Sequence, residues 1–265
     1  MSISPVVAVE KIGAPVLGFT ERWGASVIFL YHAICAIFRP PFRFYLFLVQ
    51  MLQIGTHSTL VVALIGLFTG AVMAVQGEYT LSKFGATAFT GSAVALSLIR
   101  ELGPVLTALM VVGRAGSAIT AEIGIMRITE QIDALRSMAV DPIKYLMAPR
   151  ILAGIVAMPL LCCIFIVVGI FGGYVVGVGL LGLSAGTFVS QMVTAVDTFD
   201  VVSGVVKAVV FGFIFGWVSC YKGFTCGYGA MGVNRATTGS VVTSSVAVLV
   251  VDYFLTSILT RVFLQ

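Results

Sequence analysis

The sequence predicts an all-α integral membrane protein of five transmembrane helices with a further helix lying in the membrane interface at its N-terminus. Three observations carry that expectation. Of 265 residues 59% are hydrophobic and only 10% are charged, against about 25% charged in soluble domains. The charges are also segregated, leaving uncharged runs at 44–77 and 151–196 and shorter ones at 84–99, 102–113, 208–221 and 236–251. Finally, those runs lack the apolar/polar alternation of barrel strands, and a backbone in lipid must satisfy its own hydrogen bonds, which leaves helices.

The spans follow in order as 47–75, 91–117, 149–178, 201–221 and 240–261. At 1.5 Å per residue the run 44–77 gives about 51 Å of helix against a hydrocarbon core of about 30 Å, so it holds one long or tilted span with flanks. The run 151–196 is longer still and is expected to hold one span plus a buried or interfacial segment. Upstream, Trp23–Phe38 is apolar but short and is fenced by Glu21 and Arg22 before it and Arg39, Pro40, Pro41 and Arg43 after it. It reads as an interfacial helix, with a short span as the lesser alternative; arginine and proline in place of a small-residue site argue against a cleaved signal peptide. The chain thus divides into an N-terminal segment, 1–43, and a transmembrane domain, 44–265.

With the N-terminus inside, Lys11, Arg22, Arg39, Arg43, Arg114, Arg127, Arg136, Lys144, Arg150, Lys222 and Arg235 fall in cytoplasmic segments and only Lys83 and Arg261 outside. This bias fixes the orientation by the positive-inside rule, and an odd number of spans places Gln265 outside.

Several familiar patterns carry no chemistry here. Gly177–Gly182 reads GVGLLG, formally GxGxxG, but sits in an uncharged run with no strand, so packing glycines or a turn explain it. The following GLSAG resembles a nucleophile elbow, but both histidines, His32 and His57, precede it, so Ser184 belongs to a loop. The same histidines stand alone and make no metal site. No GxxxxGK[ST] occurs, so the chain holds no nucleotide by a phosphate loop. Cys35, Cys162, Cys163, Cys220 and Cys226 form no CxxC pair and read as small buried hydrophobes, Cys162 and Cys163 pointing to different helix faces. Glycines four apart, at 66 and 70, at 169, 173 and 177, and at 212 and 216, predict close helix packing, within one chain or across a dimer.

Charges inside spans are the sharper signal. Arg100 and Glu101 lie in the second span, Lys207 in the fourth and Asp252 in the fifth, and each costs about 2.5–3.5 kcal/mol at mid-bilayer, so each needs a cavity or a partner. Neighbours on a helix, Arg100 and Glu101 point about 100° apart and cannot pair well with each other. Pro104 lacks an N–H, and its ring presses on the carbonyl of Arg100, so RELGP places a kink, a freed carbonyl and two charges at one level. Two readings follow: structural ion pairs, such as Arg100 with Asp252 or Glu101 with Lys207, or a polar patch lining a cavity for a substrate with a charged head and apolar tails.

Between Arg114 and Asp141 the charge density rises, with Glu122, Arg127, Glu130, Asp133 and Arg136 in between. On a helical wheel Ile125, Ile128, Ile132, Leu135 and Ala139 share an arc of roughly 80°, with Arg127, Thr129, Glu130, Gln131 and Asp133 on the rest. The expectation is one amphipathic helix with a narrow apolar seam, either resting on the membrane surface or docking a cytoplasmic partner. Asp141 and Pro142 follow as N-cap and first residue of a new helix.

The run SLIRELGPVLTALMVVGRAGSAITAEIGIMRITEQIDALRSMAVDPIKYLMAPRI, 97–151, with NRATTGSVVTSSVAVLVVDYFLT, 234–256, closely resembles the MlaE family of permeases of phospholipid ABC transporters. The resemblance implies a homodimer with five spans and an interfacial N-terminal helix in the inner membrane of a Gram-negative bacterium, its C-terminus periplasmic. It implies as partners a second copy of the chain, a cytoplasmic ATPase dimer that binds the ATP, a small STAS-domain subunit, a periplasmic hexameric MCE ring and phospholipid, and no nucleic acid. The role implied is movement of lipid between the inner membrane and the MCE protein, maintaining outer-membrane asymmetry, with no catalysis and no cofactor in this chain. Under it the segment 119–141 contains a coupling helix, about Ala121–Met138, for which Glu122, Arg127, Glu130, Asp133, Arg136 and Asp141 are the candidate contacts, and Arg100, Glu101, Pro104, Lys207 and Asp252 are the candidate cavity residues. The alternative is a secondary transporter or channel using Arg100, Glu101, Lys207 and Asp252 as an ion relay; it expects an inverted repeat, into which five spans do not divide.

Overall fold

The computed structural model describes Glu21, residues 24–37 and residues 44–263. Helix α1, Gly24–Ile37, precedes five long apolar helices: α2 (Phe44–Ser82), α3 (Thr87–Ile128), α5 (Ile143–Gly179), α7 (Thr198–Phe224) and α8 (Gly229–Phe263). Two short helices complete the chain, α4 (Gln131–Ser137) and α6 (Ala185–Ala195). The five expected spans are therefore present, each helix longer than the span expected of it. Expectations placed on Lys11, Arg22, Trp23, Phe38–Arg43 and Gln265 lie outside the described residues.

α1 lies along the end of the bundle that also carries α4. Its Phe29 is buried against the rings of Tyr221 and Phe224 at 5.6 and 5.7 Å, and Ser26 accepts a hydrogen bond from Trp217 Nε1 at 3.2 Å. Val27, Ile28, Tyr31 and Ile34 on its other face are exposed. α6 caps the opposite end. It realises the extra segment expected in 151–196, with Phe188 buried against Gly91 and stacked edge-on to Tyr174 at 5.8 Å. The tight turn before α6 needs Gly182 at φ +71, and Gly177 leaves room for the Phe188 ring, so GVGLLG is both packing glycine and turn. Ser184 stands in the loop, at the residue before α6.

The glycine spacings act within the chain. α2 and α5 form the most extensive helix pair. A methyl group on Gly66 would sit 2.8 Å from the Phe165 carbonyl, and one on Gly70 would overlap the Gly169 carbonyl outright. α5 meets α7 the same way: a methyl group on Gly212 would sit 2.5 Å from the Gly154 carbonyl oxygen and one on Gly216 3.1 Å from Ile151 Cα. With lipid as apolar as the side chains, such backbone proximity is what holds helices together. α8 is attached more lightly: only 11% of its most apolar window is buried, against 28–56% for the other spans. It touches the bundle along a four-residue repeat, Ser240, Ser244 and Val248, buried, continuing to Asp252 and Thr256, half-buried.

The amphipathic segment departs from expectation. Instead of one helix over Ala121–Met138, the span α3 itself runs on to Ile128 and then breaks at Thr129 and Glu130, whose φ is +59. Three features end it: the Thr129 hydroxyl turns back onto the Ile125 carbonyl at 2.8 Å, Glu130 is left-handed, and α4 restarts in a new direction. The seam is cut accordingly. Ile132 is fully buried while Ile125 is half exposed, because they now belong to different helices. α4 ends on a second left-handed residue, Ala139 at φ +57, with Val140 N–H donating to the Leu135 carbonyl in a Schellman-type closure usually given to glycine. Asp141 then caps α5 as expected, its Oδ1 accepting the Ile143 N–H at 2.9 Å. Of the cysteines, Cys162 and Cys220 are buried, whereas Cys163 on the adjacent face is exposed, a correction to the reading of all five as buried.

Two outcomes follow from this packing. Gly70→Ala should lower stability by about 2 kcal/mol or more through overpacking, while Gly55→Ala, with nothing within 4 Å, should be neutral or slightly stabilising; melting of the detergent-purified proteins compares them. Ala139→Gly should raise the melting temperature, relieving a left-handed conformation worth about 1 kcal/mol.

Candidate functional site

α3 is not a uniform helix. It contains two π-helical turns, Leu98–Leu102 and Val112–Gly116, one just before Pro104 and one a further three turns on. The first answers the proline: Gly103 N–H bonds back to the Leu98 carbonyl, leaving the Arg100 carbonyl unclaimed by the helix. Lys207 on α7 takes it. The Lys207 ammonium donates to the Arg100 carbonyl at 2.9 Å, to Glu101 Oε2 at 2.7 Å and to Thr256 Oγ1 at 2.7 Å. An ammonium has three protons, and these three acceptors use them all. Asp252 Oδ1, 3.2 Å away, consequently makes an ionic contact with Lys207 without a hydrogen bond.

Beside this node Arg100 Nε meets Asp200 Oδ1 at 2.6 Å. Asp200 is fixed from its own helix start, where its Oδ2 accepts the Asp197 N–H at 3.0 Å and the two aspartates form a capping box. Sequence reasoning anticipated the Glu101–Lys207 pair but matched Arg100 to Asp252; the structure gives Arg100 to Asp200 and Asp252 to Lys207. Asp200 and Thr256 were missed. The spacing Asp197-x-x-Asp200 before an apolar run was the available signal for the first, whereas nothing local marks Thr256, which reaches the node only because α8 repeats every four residues.

The cluster is neither sealed nor fully wet. Lys207 and Asp200 are buried, while the Arg100 and Glu101 side chains are 43% and 44% exposed. These residues line a cleft with Ser203, Thr256 and Thr260, walled on the apolar side by Phe199 and Leu259. Pro104 stands one turn below, its ring beside Gly204 of α7, and shapes the cleft through the helix instead of lining it. Asp200 lies at the first turn of α7 and Lys207 nine residues in, so the cleft sits in the α6 half of the bundle, within about 13 Å of that helix end. An arginine and a carboxylate exposed side by side above apolar walls can hold a dipolar head group and its first methylenes.

The residues expected to dock a partner separate into two groups. Arg127, Asp133 and Arg136 form one surface patch, Asp133 Oδ1 bridging the guanidinium groups at 3.4 and 3.2 Å while both arginines lie over the Phe224 ring at 5.9 and 5.6 Å. Glu130 is exposed at the break between α3 and α4, and Asp141 is exposed but engaged as a helix cap. Glu122 belongs elsewhere. It faces inward to Arg150 Nη2 at 2.6 Å, and Arg150, expected in a cytoplasmic segment, is buried in α5 at 1% exposure. Because α5 begins at Ile143, about two helical turns before Arg150, that arginine is drawn into the bundle.

Lys207→Met should destabilise the protein by about 3 kcal/mol, since it strands Glu101, Asp252 and a backbone carbonyl at once. Adding Glu101→Gln and Asp252→Asn should recover most of the loss, read as melting temperature in detergent; no recovery would mean that the charges are not mutually compensating.

Comparison with known proteins accords with this architecture. The profile of the family described as Permease MlaE matches residues 47–258. A probable ABC transporter permease protein of Rickettsia felis is 45% identical over 253 residues, covering 96% of this chain and 98% of the relative. The intermembrane phospholipid transport system permease protein MlaE of Haemophilus influenzae is 42% identical over 254 residues, 95% of this chain and 97% of the relative. The chloroplastic protein Trigalactosyldiacylglycerol 1 of Arabidopsis thaliana is 36% identical over 208 residues, 78% of this chain and 59% of the relative. With most of its length matched by the family profile and its span order intact, this chain is a multi-pass membrane protein that belongs to the MlaE permease family.

Proposed function

We propose that the chain is the permease subunit of an ATP-driven phospholipid transporter that moves lipid between the inner membrane and a periplasmic MCE protein, helping to maintain outer-membrane lipid asymmetry. The observation that carries the reading is the cleft at Lys207: charged groups that cost several kcal/mol in lipid are kept in a transmembrane bundle, half exposed, above apolar walls. That is the chemistry of a phospholipid, with a phosphate for Arg100, a cationic head-group amine for Glu101 and acyl chains for Phe199 and Leu259. The name of the Haemophilus relative supports phospholipid as the cargo.

ATP binds on a partner ATPase dimer, and the resulting motion reaches this chain through α4. Support comes from its geometry: α4 lies beyond the spans and is bracketed by Glu130 and Ala139, the two non-glycine left-handed residues among those described. Strain of that kind persists where surrounding structure enforces it, commonly at sites that act. The patch Arg127–Asp133–Arg136 sets the register of docking, and its stacking on Phe224 carries motion to α7, which holds Lys207. A second copy packs against α8, whose Asn234, Arg235, Thr238 and Thr243 are exposed together with Val242, Val246 and Val250. By the lysine and arginine bias the α4 end is cytoplasmic and the α6 end, with the C-terminus, periplasmic. That orientation brings the Lys207 cleft to the side of the MCE ring and leaves the cytoplasmic surface to the ATPase and a STAS-domain subunit.

Charge reversal at Glu130 and Asp133 should abolish stimulation of the partner ATPase by the reconstituted permease while leaving the permease folded; undiminished stimulation would end the docking assignment. Arg100→Ala should reduce co-purifying phospholipid several-fold, and wild-type amounts of lipid would make Arg100 purely structural.

A further inference from the structure

The second π-turn of α3 also carries an arginine. Arg114 sits in Val112–Gly116 as Arg100 sits in Leu98–Leu102, fourteen residues and therefore about 21 Å apart along one helix. Only apolar residues, glycine, Pro104, Thr107 and Glu101 separate them. Centred on a hydrocarbon core of about 30 Å, a pair so spaced would lie a few ångströms inside its two faces, at corresponding depths in the two leaflets.

Arg114 lines a second cleft, between α2 and α3, with Gln50, Gln53, His57 and Glu122. Its environment differs from that of Arg100 in one decisive respect. Arg114 donates Nη1 to the buried Ser58 hydroxyl at 3.2 Å but forms no ion pair among the described residues. The carboxylate in that cleft, Glu122, is already committed to Arg150, whose Nε also reaches Gln50 Oε1 at 3.4 Å. Arg150 thus fixes two residues of the cleft wall, and its own buried Nη1 is left without a hydrogen-bond partner among the described residues. With Glu122 neutralised by Arg150 behind the wall, Arg114 leaves a net positive charge in a cleft furnished with two amides and an imidazole. The cost of an uncompensated guanidinium there is offset by an anion that supplies several acceptor oxygens, and the planar fork of arginine matches phosphate.

We propose that Arg114, with Gln53 and His57, forms a second phosphate-recognition station, one leaflet away from the Lys207 cleft, which receives the phosphate of a lipid head group. The inference rests on the lipid-transport reading above and adds to it an inner station on the same helix. Two π-turns then have one purpose, each turning an arginine out of a span at head-group depth.

The test uses the chain assembled with its ATPase partner in native membranes, with a benzophenone amino acid at Ala118 in the Arg114 cleft, at Leu259 in the Lys207 cleft, or at Phe68 on the lipid-facing surface. After growth on radioactive phosphate and irradiation, adduct mass identifies the attached molecule. Ala118 and Leu259 should both label with glycerophospholipid, above Phe68. Arg114→Gln should lower the Ala118 label roughly tenfold, the scale of losing one charge-assisted hydrogen bond, and leave the Leu259 label intact, while Arg114→Lys keeps both. Label at Ala118 no higher than at Phe68, or unchanged in Arg114→Gln, overturns the station; the first comparison needs no variant of Arg114. Label at Leu259 alone overturns the station and leaves the transport reading standing, whereas label at neither cleft removes both. If Ala118 stays unlabelled but inorganic phosphate raises the melting temperature of the lipid-depleted complex in an Arg114-dependent way, the site takes free phosphate and the lipid source is overturned.

Discussion

A single ammonium group organises the α6 half of this bundle. Lys207 satisfies the Arg100 carbonyl, for which Pro104 has no N–H, and in doing so ties α3 to α7 and, through Thr256 and Asp252, to α8. In lipid an unclaimed carbonyl costs several kcal/mol, so the π-turn at Leu98–Leu102 and the buried lysine require each other. The exposed groups of the cleft are held around that arrangement: Asp200, fixed by its capping box, holds Arg100, and Glu101 is held by Lys207 and Thr256 while its side chain stays half exposed.

The α4 half obeys different rules. There the charges are surface groups at a polar boundary, and rigidity comes from backbone conformation and aromatic stacking. Phe224 is the meeting point, packed by Phe29 of α1 on one side and approached by Arg127 and Arg136 on the other. Displacement of α4 therefore bears on α1 and α7 together. Since α7 also carries Asp200 and Lys207, the two halves are joined by one continuous helix, and no chain of intermediate side chains has to be invoked.

Much of this was legible in the residues. Long uncharged runs gave the number and order of spans, four-residue glycine spacings gave the closest helix contacts, and Pro104 located the freed carbonyl. What escaped were the features that depend on three-dimensional register. The wheel that joined Ile125 to Ile132 assumed an unbroken helix, and neither Thr129 nor Glu130 is a breaker by composition; the break shows only in the backbone, where Glu130 is left-handed and Ile132 is buried as part of a separate helix. Asp200 looked like an end-of-helix residue and is one, but being also the partner of Arg100 depends on how α3 and α7 lie side by side. Arg150 looked like a flanking charge because the run of apolar residues begins after it, while the helix begins well before.

The glycine seam between α2 and α5 has a mechanical meaning. Carbonyl oxygens seated against Gly66, Gly70, Gly169 and Gly173 interlock the two backbones like the teeth of a rack, so a slide of even one ångström would drive main chain into main chain. α2 and α5 are thereby a stator. The compliance needed to open and close a lipid path has to reside in the lightly seated α8 and in the underwound π-turns of α3, and the direction of the working stroke is set by which helices are forbidden to move.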